Sequence, residues 1–184
     1  MRVLAGEFKG RRLVTTRGST TRPTGDRVRI ACLDTLMPHL PGGPFLDLFA
    51  GSGAVGIEAL SRGAPAAVFV ELEAAALRAL RDNIVGLGLE NRTRVMREDA
   101  VRAVHTLHRQ GERFAVVFLD PPYVSSRATE ALDAVASRGV LTSSAVVVIQ
   151  HATKTPPPET PGVLTPWKTS RFGETSLTFF RSPE

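Results

Sequence analysis

From residue 45 onward the chain alternates short apolar runs with amphipathic stretches, and this alternation limits the possible folds more than any other feature. The runs are Phe45-Leu46-Asp47-Leu48-Phe49, Ala66-Ala67-Val68-Phe69-Val70, Thr93 to Met96, Ala115-Val116-Val117-Phe118-Leu119 and Ala145 to Ile149. Each has the length of a strand, and most are continuously apolar, which predicts burial on both faces. Helical patterns separate them: Ala54 to Arg62, then Leu77, Leu80, Ile84 and Leu87 ahead of Gly88, then Val101, Val104 and Leu107, then Leu132 and Val135. Strands interleaved with helices predict a mostly parallel sheet covered on both sides, with right-handed crossovers. Past a Pro-rich loop over 156–161, two extended segments near 163–171 and 175–181 meet at Phe172-Gly173-Glu174 and read as an antiparallel pair. The expected fold is α/β: a doubly wound, seven-stranded sheet with one antiparallel edge strand.

The first forty residues read differently. Val3-Leu4-Ala5 and Arg12-Leu13-Val14 flank Gly6-Glu7-Phe8-Lys9-Gly10, which predicts a small hairpin. A polar loop over 15–23 leads to Thr24, an expected N-cap, and to Val28, Ala31, Cys32, Thr35 and Leu36 at helical spacing. Pro38, Pro41 and Pro44 close that helix. The expected organisation is thus a basic extension over 1–40 and a core over 41–184. Residues 1–30 carry eight basic and two acidic groups, whereas 31–184 carry 15 basic and 16 acidic ones. Residues 1–30 therefore carry +6 and the remainder −1, which points to a polyanionic partner, nucleic acid foremost. Cys32 is the only cysteine, and the four histidines are scattered, which excludes a disulfide framework and a cysteine-rich zinc site. No metal is expected. No apolar run approaches the roughly 18 residues of a membrane helix, and Met1 to Glu7 lack a signal-peptide core. A cytoplasmic protein without a membrane association is expected, acting as a monomer.

Ligands of open α/β sheets collect beyond the carboxyl ends of the strands. Four strand ends carry suggestive groups. Gly51 to Gly56 form G-x-G-x-x-G, a pattern shared by dinucleotide sites and by plain tight turns. Glu71 follows the second strand, 18 residues after Gly53, where an acid can accept both ribose hydroxyls or simply cap a helix. Asp99 follows the third, suited to an adenine amino group or again to an N-cap. The fourth strand ends in Asp120-Pro121-Pro122-Tyr123. Two prolines leave a stiff turn without N–H donors, so the Asp120 carboxylate and the Pro121 carbonyl face a cleft as acceptors. That wall suits an exocyclic amine, and Tyr123 offers a face on which a base stacks.

These residues resemble the class I S-adenosylmethionine-dependent methyltransferases, with their Rossmann-like fold, and more closely the RsmD family of small-subunit (16S) ribosomal RNA guanine-N2 methyltransferases. The resemblance rests on Gly6 to Leu13, on Arg22-Pro23-Thr24-Gly25-Asp26-Arg27-Val28-Arg29, on Asp47 to Ala64, on Asp120 to Tyr123 and on Phe172-Gly173-Glu174-Thr175. It implies that Asp47 and Phe49, Ala50, Gly51, Ser52 and Gly53 hold the methionine part of the cofactor. It further implies that Glu71, beside Leu72, takes the ribose, and that Asp99 and Ala100 border the adenine. Asp120, Pro121, Pro122 and Tyr123 would form the catalytic turn around the target guanine, with Asp120 also bordering the cofactor. Lys9, Arg11, Arg12, Arg22, Arg27 and Arg29 would contact RNA, together with Tyr123. The implied target is guanine 966 on an assembled or partly assembled small subunit. Two positions depart from the family pattern: Ile30 stands where an acid is expected, and Glu71-Leu72-Glu73 replaces acid-x-Asp.

Three other readings compete. A DNA adenine-N6 methyltransferase shares the glycine turn and Asp-Pro-Pro-Tyr, but would need room for target recognition. A non-catalytic RNA-binding assembly factor has no use for an intact Asp120 to Tyr123. A nicotinamide dehydrogenase leaves that same turn unexplained.

Overall fold

The computed structural model describes residues 1–16, 23–122, 126–156 and 163–184. In chain order the elements are α1 (Pro23–Leu36), β1 (Phe45–Leu48), α2 (Ala54–Ser61), β2 (Ala67–Val70), α3 (Ala74–Leu87), β3 (Thr93–Met96), α4 (Ala100–Arg109), β4 (Phe114–Leu119), α5 (Arg127–Ser137), β5 (Leu141–Ala152), β6 (Thr165–Phe172) and β7 (Thr175–Arg181). The strands form one sheet in the order β3-β2-β1-β4-β5-β7-β6. β1 lies at its switch point, parallel to β2 on one side and to β4 on the other.

The reversed strand is β7, which pairs antiparallel with both β5 and β6. It lies one place in from the border rather than at the edge expected from sequence, and β6 forms the edge. Burial explains the order. β7 brings Leu177, Phe179 and Phe180 into the core, whereas β6 is exposed along most of its length and carries Pro166, Lys168 and Arg171. The apolar strand takes the inner place, and the polar one meets solvent.

Two apolar layers sandwich the sheet. One face gathers Phe45, Phe69, Phe118, Val148 and Phe179 against α1, α2 and α3. The other gathers Leu48, Val70, Val117, Leu119 and Ile149 against α4 and α5. The period-two split along strands buried on both sides is the pattern behind their continuous apolar runs.

The N-terminal hairpin is reduced to a single antiparallel bridge, Arg2 to Arg12. The Val3 N–H to Arg11 O and Leu13 N–H to Met1 O bonds, both at 3.0 Å, flank that bridge, and beyond Val3 the backbone is committed elsewhere. The N–H groups of Leu4 and Ala5 donate to the carboxylate of Glu58 at 2.9 and 2.8 Å, and Phe8 N–H donates to Ser61 Oγ at 2.9 Å. Glu58 is fully buried and also accepts from Arg62 Nε at 3.1 Å. Val3 and Leu13 join the apolar layer of α1 and α2, so residues 1–40 share a core with the rest of the chain. Helix α1 begins at Pro23, one residue before the expected cap Thr24.

Gly6 makes this docking possible. Its φ is +80°, and an added Cβ would run into the Ser61 carbonyl. Gly6→Ala is expected to lower unfolding stability by about 1–3 kcal/mol in urea titrations, from left-handed strain plus displacement of the segment from α2.

Candidate active site

The carboxyl ends of β1, β2, β3 and β4 open into two adjoining cavities. The first, about 390 Å3, is lined by Glu71, Leu72, Glu73, Glu98, Asp99 and Ala100, together with Phe49, Asp120, Pro122 and Arg127. The second, about 290 Å3, is lined by the turn residues Phe49, Ala50, Gly51 and Ser52, by Ala54 and Val55, and by Asp26, Arg29, Asp47, Asp120 and Gln150. Phe49 and Asp120 border both. The open crevice thus falls where the strand order reverses, as the topology requires.

The turn after β1 is built from the inside. Asp47 is 1% exposed, and its Oδ2 accepts the Gly56 N–H at 2.9 Å, which fixes the start of α2 against the strand. Phe49 adopts φ 65°, in the left-handed region that a non-glycine residue enters only when its surroundings enforce it. Gly53, at φ 83°, leaves no room for a side chain because Leu80 of α3 packs against it. The glycines therefore serve a tight strand–helix turn and also leave its backbone facing the second cavity.

Like Asp47, the carboxylates of Glu71 and Asp99 have backbone partners. Glu71 accepts the Gly51 N–H at 2.7 Å on Oε2, and the N–H groups of Leu72 and Glu73, both at 2.8 Å, on Oε1. Asp99 caps α4, accepting from Val101 N–H at 3.0 Å and Arg102 N–H at 3.4 Å. The cap uses Oδ1 alone. A carboxylate has about four acceptor positions, so these bonds aim the groups and still leave lone pairs toward the cavity.

Two acids have raised affinities for protons. Burial, reinforced by Asp120 and Glu71 and offset in part by the Gly56 N–H, pushes the Asp47 carboxyl up to about 8. Asp120 opens to the water of both cavities, while protein crowds its other sides. That crowding pushes its carboxyl up to about 7. Pro121 is buried, and Pro122 lines the first cavity.

Of the expected RNA contacts, Lys9, Arg11, Arg12 and Arg27 are exposed. Arg11 also donates to the Gly86 carbonyl at 2.8 Å, which lays the basic segment beside the end of α3. Arg29 departs from expectation. It is 6% exposed, bonded to Arg2 O at 2.9 Å and to Asp26 at 3.1 Å, and it lines the second cavity instead of the outer surface. Its place on the inner side of α1 accounts for this, since Val28 and Cys32 turn the same side into the core. Arg22 and Tyr123 lie outside the described residues. Sequence reasoning missed Asp26, Arg127 and Gln150 as lining residues. For Gln150 there was a signal: a polar residue directly after the apolar run ending at Ile149. Among the described residues no cluster of His, Cys, Asp or Glu could hold a metal ion, and no helix is long and apolar enough to cross a membrane.

The sheet order, the glycine turn and the paired cavities define a Rossmann-like class I methyltransferase fold. The model of the family described as conserved hypothetical protein 95 matches residues 1–181, and the chain belongs to this family, the RsmD family. It is 36% identical over 181 residues to YlbH of Bacillus subtilis, a candidate rRNA methyltransferase, covering 98% of each chain. It is 32% identical over 161 residues to ribosomal RNA small subunit methyltransferase D of Escherichia coli, covering 88% of this chain and 79% of that one. Among solved structures, the E. coli methyltransferase candidate YhhF superposes with a TM-score of 0.86 at 27% identity, over 100% of this chain and 98% of the other.

The raised Asp47 carboxyl has a consequence for stability. The folded state binds its proton more tightly than the unfolded state, so this group's contribution falls as pH rises from about 4 to about 8. Asp47→Asn keeps an acceptor for Gly56 and removes the titration. Its stability relative to the native chain is therefore expected to rise between pH 5 and pH 8, read from urea unfolding at each pH.

Proposed function

We propose that this chain transfers a methyl group from S-adenosylmethionine to the exocyclic N2 of a guanine in small-subunit ribosomal RNA. The target is guanine 966, on an assembled or partly assembled subunit in the cytoplasm, and the enzyme acts as a monomer. One observation carries the reading: Asp120 stands where the two cavities meet, followed by two prolines that contribute no N–H donors. The names of the curated relatives support rRNA as the substrate class.

The donors and acceptors present suit the cofactor. The first cavity offers Glu71 for the ribose hydroxyls, Leu72 and Ala100 as apolar walls, and Asp99 for the adenine amino group. The second offers the turn backbone from Phe49 to Ser52, with Asp26 and Arg29 of opposite charge beside it. That pairing matches the zwitterionic methionine end, so Arg29 is reassigned from RNA to the cofactor. When bound, S-adenosylmethionine supplies a sulfonium methyl group as the electrophile.

The chain's own residues handle the nucleophile. A guanine amino nitrogen is a poor nucleophile because its lone pair delocalises into the ring. Asp120 and the Pro121 carbonyl accept its two N–H groups and favour a pyramidal nitrogen with its lone pair free for in-line attack. Positioning two bound reactants can contribute up to about 7–11 kcal/mol in well-oriented systems. Asp120, with a carboxyl raised to about 7, is matched to taking the departing proton near neutral pH. Tyr123 stacks on the unstacked target base. Lys9, Arg11, Arg12 and Arg27 hold RNA phosphates outside the cleft, and Arg22 adds a further RNA contact.

Asp120→Ala is expected to abolish methyl transfer to small subunits from cells lacking the protein, while S-adenosylhomocysteine still binds in calorimetry. Retained turnover removes Asp120 from the mechanism, and methylation of duplex DNA instead of the subunit replaces the substrate assignment. Reversing the charges of Arg11 and Arg12 should weaken RNA binding and lower its salt slope by ~0.7–0.9 per lost phosphate contact. An unchanged slope places the RNA surface elsewhere.

A further inference from the structure

Three side chains hold the cofactor turn, and one of them also holds the basic N-terminal segment. Gly51 donates to Glu71, and Gly56 donates to Asp47. The third point is Asn83 of α3, which is 4% exposed. Its Nδ2 donates to the Ser52 carbonyl at 2.9 Å and to the Val14 carbonyl at 3.0 Å, and its Oδ1 accepts the Val14 N–H at 2.7 Å. Both amide hydrogens and one oxygen lone pair are therefore engaged. Toward Val14 the side chain imitates the donor–acceptor pair of a neighbouring strand. Toward Ser52 it fixes the middle of the glycine turn.

The two segments so joined face different ligands. Ser52 lines the second cavity, as does Thr16, two residues beyond Val14. Two residues before Val14 stands Arg12, exposed like Arg11. Asn83 is buried, so a broken bond would leave its amide hydrogen or oxygen without a partner away from water. Movement of residues 12–16 and movement of the turn are therefore tied through one side chain.

We infer that Asn83 is a positioning residue that couples RNA contact at the N-terminal segment to cofactor affinity at the glycine turn. The inference rests on the methyltransferase reading. RNA that fixes residues 11–16 also fixes Val14, and through Asn83 the Ser52 carbonyl, so less ordering remains for cofactor binding to impose. By linkage the effect is reciprocal: the cofactor tightens RNA binding by the same factor.

Asn83→Asp is the informative substitution. It keeps shape and the acceptor for the Val14 N–H, but turns the two donors toward Ser52 and Val14 into acceptors. S-adenosylhomocysteine affinity is measured by calorimetry at 25 °C for the native chain and N83D, with and without small ribosomal subunits from cells lacking the protein. The native chain should bind about fivefold tighter or more with subunits present. N83D should bind about tenfold weaker or more in their absence, and lose the strengthening in their presence. A purely structural role lowers the melting temperature while leaving both affinities intact, and that result overturns the inference. So does equal strengthening in the two proteins, or none in the native chain. Should the native chain fail to bind S-adenosylhomocysteine at all, the cofactor reading falls and this inference with it.

A second measurement needs no variant. Amide exchange of the native chain, followed residue by residue, should slow at the Val14 N–H when S-adenosylhomocysteine binds, together with Gly51 to Gly53. Slowing of the turn alone overturns the coupling.

Discussion

A single buried hydrogen bond, from the Gly56 N–H to Asp47, sets the terms for the rest of this molecule. A carboxylate inside a sheet is costly unless its oxygens find donors, and here the donor comes from the first turn of the helix that follows. The bond brings α2 back against β1 within a very short connection. Gly56 must lack a side chain because the Phe69 ring and the carboxylate occupy that space. Phe49 takes a left-handed conformation to make the bend. The crevice opens where the strand order reverses, and this bond fixes the turn that forms one of its walls.

Around that crevice the charges divide by location. The first cavity is lined by Glu71, Glu73, Glu98, Asp99 and Asp120, with Arg127 at its border. The exposed basic groups of the N-terminal segment lie outside it, against α3. A polyanion is drawn to the outer surface and repelled from the inner one, so only a base turned out of its stack has reason to enter. A ligand with positive charge at its centre and hydroxyl or amino donors at its rim meets the opposite preference. The spatial division separates a basic outer segment from an acidic cavity within a chain of modest net charge.

Much of this was legible in the sequence because the relevant rules are local. An acid directly after a continuously apolar run sits at the carboxyl edge of a parallel sheet, which located Glu71 and Asp120, while Asp99 follows the third strand after Arg97 and Glu98. The glycines at 51, 53 and 56 marked a turn. What was not legible depends on partners far along the chain. The hairpin stops after Val3 because Glu58, more than fifty residues away, takes the N–H groups of Leu4 and Ala5. Arg29 seemed to belong to a basic run, and only the packing of Val28 and Cys32 turned it inward. The order of β6 and β7 followed from which strand had more to bury, a comparison that their hairpin turn does not reveal. Asp26 and Arg127 reach the cavities through helix placement, for which a linear pattern carries no cue.

The exposed border strand has a further consequence. Unsatisfied peptide groups along a sheet margin invite another polypeptide to extend it, and long apolar margins do so most readily. On β6, Pro166 removes one donor and breaks the register with β7, while Lys168 and Arg171 place cations along the rim. A rim so furnished is a poor template for strand addition by a second copy of the chain.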